Sequence, residues 1–168
     1  MAETLANTLV DFFANKIPAE LVAFIVSLLP VLELRGGLIA ANLMGIDLIP
    51  AFIICFIGNM LSIPFILLFI EKIFDWLRDK KGLGKVVRFC EAKADKHKDK
   101  IDKYGLWGLF ILVAIPLPGT GGWTGALVAA LMRLKIKKSL PIIAIGVLAA
   151  GIIVSLIMYG AVDAILGK

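Results

Sequence analysis

Apolar residues run along this chain in blocks of two lengths. Residues 49–70, IPAFIICFIGNMLSIPFILLFI, and 139–162, SLPIIAIGVLAAGIIVSLIMYGAV, each exceed twenty residues without a Lys, Arg, Asp or Glu. A helix needs about 20 apolar residues to cross the hydrocarbon core. The pattern therefore predicts transmembrane helices over 49–71 and 139–164. Pro50 and Pro141 fall near the first turn, where a missing N–H is harmless. Pro64 falls inside its helix and is expected to kink it. Tyr159 suits an interfacial anchor.

The other apolar blocks are shorter and broken. Residues 19–29 and 106–117 are each about a dozen long, too short to cross alone. Each leads into a Pro/Gly-rich break and a second apolar half, 36–46 and 122–132. The breaks read LPVLELRGGLIAANLM at 29–44 and IPLPGTGGWTGALVAALM at 115–132. They echo one another: Leu38-Ile39-Ala40-Ala41 and Leu43-Met44 match Leu127-Val128-Ala129-Ala130 and Leu131-Met132. Irregular backbone at membrane depth survives only when buried in protein or lining a wet cavity. Ahead of all this, Leu5, Leu9, Phe12, Phe13 and Ile17 recur at helical spacing. That pattern predicts a short amphipathic helix over 1–18, and it lacks the basic start and apolar core of a signal peptide.

Composition agrees with the pattern. The chain is 60% hydrophobic with a mean hydropathy of +0.96. Soluble domains are nearer half apolar, so this is read as an all-α integral membrane protein in one membrane domain. Charge then sets a topology. Of 18 basic residues, 11 lie between Lys72 and Lys103 and four between Arg133 and Lys138. If 105–133 crossed the bilayer once, one basic cluster would be extracytoplasmic, against the positive-inside rule. A re-entrant hairpin over 105–133 keeps both inside. Carried through the chain, a second hairpin over 19–48 enters from the outer face. Both termini are then extracytoplasmic and the 72–104 loop cytoplasmic, in the plasma membrane of a prokaryote. Two hairpin-plus-span units of opposite sense make an inverted repeat, an architecture of secondary transporters.

The 72–104 segment reads as a charged helix with a weak apolar stripe of Val86, Cys90, Ala94, His97, Ile101 and Tyr104. It is expected to rest on the membrane surface and touch anionic lipid. Along the sequence, acidic residues interleave with nearly every basic one, which argues against nucleic acid as a partner. Cys55 and Cys90 make neither a disulfide framework nor a metal cluster, and His97 is assigned no role. No cofactor or metal is expected. No Ser/His/Asp set and no P-loop is present, so the chain is read as a non-enzyme.

Candidate chemistry sits at the two breaks. Gly36, Gly37, Gly119, Gly121 and Gly122 are expected to let the chain turn inside the bilayer. The following half-helices, starting near Gly36 and Gly122, would aim two N-termini at the membrane interior, where each is a ready anion site. Arg35 is suited to bidentate phosphate contact. Glu33 is either the local partner of Arg35 or a desolvated carboxylate that takes up and releases a proton. Thr120, Thr124 and Trp123 add hydroxyls and an amphipathic ring. Asn42, Asn59 and Ser62 are read as makers of interhelical hydrogen bonds.

The LELRGGL and VAIPLPGTGGWTGAL stretches, in this order and spacing, resemble the small multidrug export proteins of bacteria and archaea. The resemblance covers about 20–160. That family is itself distantly similar to the DedA and VTT-domain membrane proteins, which implies paired re-entrant hairpins and proton-linked lipid work. By motif, Glu33 and Arg35 match the acidic and basic tip positions, and Pro116, Pro118 and Gly119 match a Pro-x-Pro-Gly turn. Thr120 stands where DedA proteins carry an acid after that turn. The leading expectation is a flippase or transporter for an anionic, phosphate-bearing lipid such as a polyprenyl phosphate or phospholipid, with protons as a possible coupling ion. The alternatives are a proton-coupled exporter of lipophilic cations and a non-transporting membrane scaffold. Because each hairpin needs protein around it, a homodimer is expected.

Overall fold

The computed structural model describes residues 17–78, 83–117 and 119–166. The helix expected over 1–18 lies almost wholly outside them. Seven helices occur among the described residues: α1 (Ala19–Leu28), α2 (Glu33–Leu43), α3 (Leu48–Arg78), α4 (Leu83–Tyr104), α5 (Leu106–Ala114), α6 (Gly122–Leu131) and α7 (Ile136–Leu166). The all-α reading holds. Helices α3 and α7 contain apolar stretches, Leu48–Ile70 and Ile136–Gly160, long enough to cross a membrane. Their outer sides show why they need lipid. Ile49, Ile53, Ile57, Leu61 and Phe65 recur every four residues along α3, and all are exposed. A stripe that apolar has no stable place in water.

Helix α3 runs on past the apolar stretch to Arg78. Residues 72–78 therefore continue the spanning helix, and the separate charged helix α4 starts only at Leu83. The extension has a packing reason, because Phe74 is buried in it. Pro64 sits inside α3 without ending it.

The chain forms two compact units, residues 1–61 with 147–168, and residues 62–146. In the first, α1 packs on α2. Val22, Val26, Leu32 and Ala40 form its buried cluster, with Ile17 and Met44 against it. In the second, α5 packs on α6, and α4 packs on both. Helices α2 and α6 are buried nearly all round, with Gly36, Gly37, Ala40 and Ala41 inside on one and Gly122, Gly125, Ala129 and Ala130 on the other. Small residues let neighbouring backbones approach closely where lipid supplies no hydrophobic drive.

The same packing recurs in both units. A Cβ on Gly37 would meet Ser27 Cβ at 2.8 Å and the Ala23 carbonyl at 3.0 Å. One on Gly125 would meet Val113 and Leu109. Gly58 faces Ser27 and Phe24, and Gly146 faces Val113 and Phe110. In each case the partner of the glycine shifts by the same interval between units. The helix ends match as well. Ile46 N donates to Ala41 O at 3.0 Å, and Leu134 N donates to Ala129 O at 2.9 Å. Both close a Schellman-type cap whose next residue back, Gly45 or Arg133, has positive φ (74° and 54°). These contacts pair Ala41 with Ala129, one residue off the pairing suggested by the Leu-Ile-Ala-Ala echo.

Candidate functional site

The first break is a compact helical turn. Glu33 N donates to Leu29 O at 2.8 Å, and Gly36 N donates to Leu32 O at the same distance. Helix α2 thus begins at Glu33 rather than near Gly36. This corrects the role expected of Gly36 and Gly37. Neither turns the chain, because the positive φ of this segment belongs to Glu33 at 52°. Both glycines lie inside the helix and serve close approach. A Cβ on Gly36 would meet Leu32 Cβ at 2.5 Å, and one on Gly37 would meet Cys55 Sγ at 2.8 Å.

Glu33 is the one Asp, Glu, Lys or Arg in the buried set among the described residues, 5% exposed. Arg35, half-buried, interacts with it electrostatically. A non-glycine residue in the left-handed region costs on the order of 1–2 kcal/mol. Burying a carboxylate costs more unless it is paired. Two unfavourable features on one residue are a reason to suspect function. Glu33 also occupies the first turn of α2, where a negative side chain complements the helix dipole. The positive end of α2 is therefore already matched by a carboxylate of its own chain.

At the second break, glycines do turn the chain: Gly119 has φ 88° and Gly121 φ 130°, immediately before α6. The hydroxyls here are engaged locally. Thr120 Oγ1 accepts from Leu117 N at 3.2 Å and lies 2.7 Å from Ile115 O and 2.8 Å from Leu117 O. Thr124 Oγ1, buried, donates to Gly119 O at 3.1 Å. Trp123, half-buried, lies beside Gly122 in the first turn of α6. The expected substrate hydroxyls thus hold the turn itself.

Some positions were not visible in sequence as parts of a site. Ser27, fully buried, donates to Phe24 O at 2.7 Å, and Cys55 Sγ lies 3.9 Å from Ala23 O. Both wall in Gly37. Tyr159 Oη donates to Ile46 O at 3.1 Å, so the expected interfacial anchor ties α7 to the cap after α2. Ser155 lines a cleft of about 280 Å³ with Leu48, Phe52 and Ile152, and its buried Oγ has no hydrogen-bond partner. Among the described residues no cluster of His, Cys, Asp and Glu could hold a metal ion.

Searches of curated proteins and of solved structures gave no significant match. Nothing in the comparisons supports the DedA and VTT part of the resemblance. A family model described as "Putative small multi-drug export protein" matches residues 33–153, from Glu33 at the first break to the middle of α7. With that match and two apolar helices of spanning length, the chain belongs to this family of membrane proteins.

Proposed function

We propose that the protein is an exporter that exchanges protons for small lipophilic cations, with Glu33 as the exchange site. The observation that carries this reading is the buried, left-handed Glu33 at a break in an apolar block. Ionisable residues in such settings mark ion or substrate pathways. Deprotonated, the carboxylate attracts a cation, and protonation releases it. Arg35 supplies the countercharge when no cargo is bound. The family description names drug export, which fits this cargo.

The layout that goes with this function is two re-entrant hairpins, 19–48 and 105–133, entering from opposite faces. The basic 72–104 segment is cytoplasmic, both termini are outside, and the working form is a homodimer in a prokaryotic plasma membrane. The recurrence of glycine contacts and caps in both units supports a repeat.

Carriage of an anionic lipid headgroup is the second reading, favoured by Arg35 in its half-buried place beside the break. It is the weaker one. An anion reaching the start of α2 would meet the Glu33 carboxylate first, and at the second break Thr120 and Thr124 already bond to backbone carbonyls.

Proteoliposomes loaded with a pH-sensitive dye separate the two readings, with tetraphenylphosphonium as the cation probe. Glu33→Gln should abolish cation-driven proton flux, while Arg35→Ala should reduce it. Unchanged flux in Glu33→Gln would overturn the proposal. Flipping of a fluorescent phosphatidylglycerol that depends on Arg35 would replace it with the second reading.

A further inference from the structure

Around its axis, helix α4 gathers five of its seven basic residues on one side, clear of its acids, while Arg88 and Lys98 lie elsewhere. At 3.6 residues per turn, positions 85, 93, 96, 100 and 103, all lysines, fall within about 40° of Phe89. Glu91, Asp95, Asp99 and Asp102 fall about 80° or more away by the same geometry. The apolar side of α4 is already taken. Gly84, Val87 and Ile101 are buried, and α4 packs on α5 and α6. Of the expected apolar stripe, Ile101 is turned to protein while Tyr104 is exposed.

The opposite side carries an aromatic residue with no protein to cover it. Phe89 is 71% exposed, and Lys103 and Tyr104 on the same side are exposed too, with Lys103 Nζ 5.2 Å from the Tyr104 ring centre. A phenylalanine at the centre of a lysine stripe suits neither bulk water nor a protein core. It suits a bilayer interface, where the ring enters below the headgroups and the ammonium groups meet phosphates. The same unit holds two exposed tryptophans. Trp76 stands near the end of the spanning helix α3, and Trp107 near the start of α5. Tryptophan is the residue type of membrane–water interfaces. Helix α4 is thus bracketed in the chain by interface residues.

We infer that the Phe89–lysine face of α4 is a docking surface for anionic phospholipid, binding the leaflet beside the spanning helices. Positive charge meets negative headgroups, and Phe89 supplies the apolar anchor. Nucleic acid would match the lysines as well, but exposed Phe89, with the exposed Trp76 and Trp107 on either side in the chain, suits a bilayer interface. The inference does not depend on what the hairpins carry.

Lipid retention by the full chain tests it. Protein in mild detergent is given equal amounts of phosphatidylglycerol and phosphatidylcholine, and bound lipids are counted by native mass spectrometry. Wild type should favour the anionic lipid at least tenfold at low salt, and severalfold less at high salt. The triple variant Lys93→Glu, Lys96→Glu, Lys100→Glu should lose the preference, and Phe89→Ser should retain less of both lipids. Asp95→Asn with Asp99→Asn should leave the preference intact. Should the triple variant fail to fold, Lys96→Glu and Lys100→Glu singly should each lower the preference about fivefold. A charge-reversed protein that keeps the preference would overturn the proposal. So would a 20-nucleotide single strand that binds the wild type in anionic nanodiscs, because the stripe would then face water.

Discussion

The two helix pairs share a scaffold and differ at the point where each chain breaks. In both, a glycine on the second half-helix packs on the first, a glycine on the following long helix packs on the same element, and a Schellman-type cap closes the end. At the break itself, the first pair puts a buried carboxylate on a left-handed residue, while the second puts glycines there and ties its threonine hydroxyls to carbonyls. By the spacing of the caps, Glu33 corresponds to Gly121. Both corresponding residues have positive φ, 52° at Glu33 and 130° at Gly121, and only the glycine is free of the Cβ penalty there. The second pair is built as a glycine turn, the first as a strained and charged one, and the proposed exchange site falls at the latter.

The largest stability effects should come from breaking the shared glycine packing. A methyl on Gly37 would meet Cys55 Sγ and Ser27 Cβ at 2.8 Å and the Ala23 carbonyl at 3.0 Å, so backbone must move. On Gly125 only one Val113 methyl is crowded, and the next neighbours stand at 3.6 and 3.8 Å. Overpacking costs about 1–3 kcal/mol, against roughly 1 kcal/mol gained in helix propensity from Gly to Ala. Gly37→Ala should therefore lower stability by about 2 kcal/mol, and Gly125→Ala by less than about 1 kcal/mol, in the same balance. Thermal unfolding of both variants in one detergent checks this. Equal losses would mean that the two pairs are packed alike.

Next in size is the second turn. Thr120→Val keeps the shape and removes a hydroxyl that contacts two carbonyls and one N–H. Loss of such bonds costs about 1–2 kcal/mol when partners are left unsatisfied. The expected outcome is lower stability with transport per folded molecule unchanged. A variant with wild-type stability and no transport would move the chemistry to the second break.

How far these features could be read from the sequence follows from what carries them. Spanning lengths depend on apolar run length alone, so α3 and α7 were legible, while the run of α3 on to Arg78 rests on burial of Phe74. The breaks were legible from Pro and Gly, yet the work of each glycine was not. Gly119 and Gly121 turn the chain, whereas Gly36 and Gly37 make room for neighbours, and composition is the same in both cases. Glu33 was legible as a charge out of place; its left-handed backbone depends on the turn around it. The engagement of Thr120 depends on carbonyls five and three residues earlier, which only the folded turn brings back. The sorting of charge around α4 was hidden because reading along a chain mixes faces that a helix separates.

The smallest effect probes the one place where the second unit carries strain and the first does not. Gly45 and Arg133 occupy the same cap position with φ near 74° and 54°. Glycine is at ease there, and an L-residue costs on the order of 1 kcal/mol. Arg133 has an interaction of its own, and any part of it that the side chain makes would offset the gain. Arg133→Gly should therefore raise stability by less than about 1 kcal/mol, and Gly45→Ala should lower it by about that amount. A Cβ at Gly45 would meet no heavy atom within 4 Å, so the second substitution reads backbone strain free of crowding. If Gly45→Ala is neutral while Arg133→Gly is destabilising, the caps differ in more than their residue, and the arginine is held there by its partner rather than tolerated by the fold.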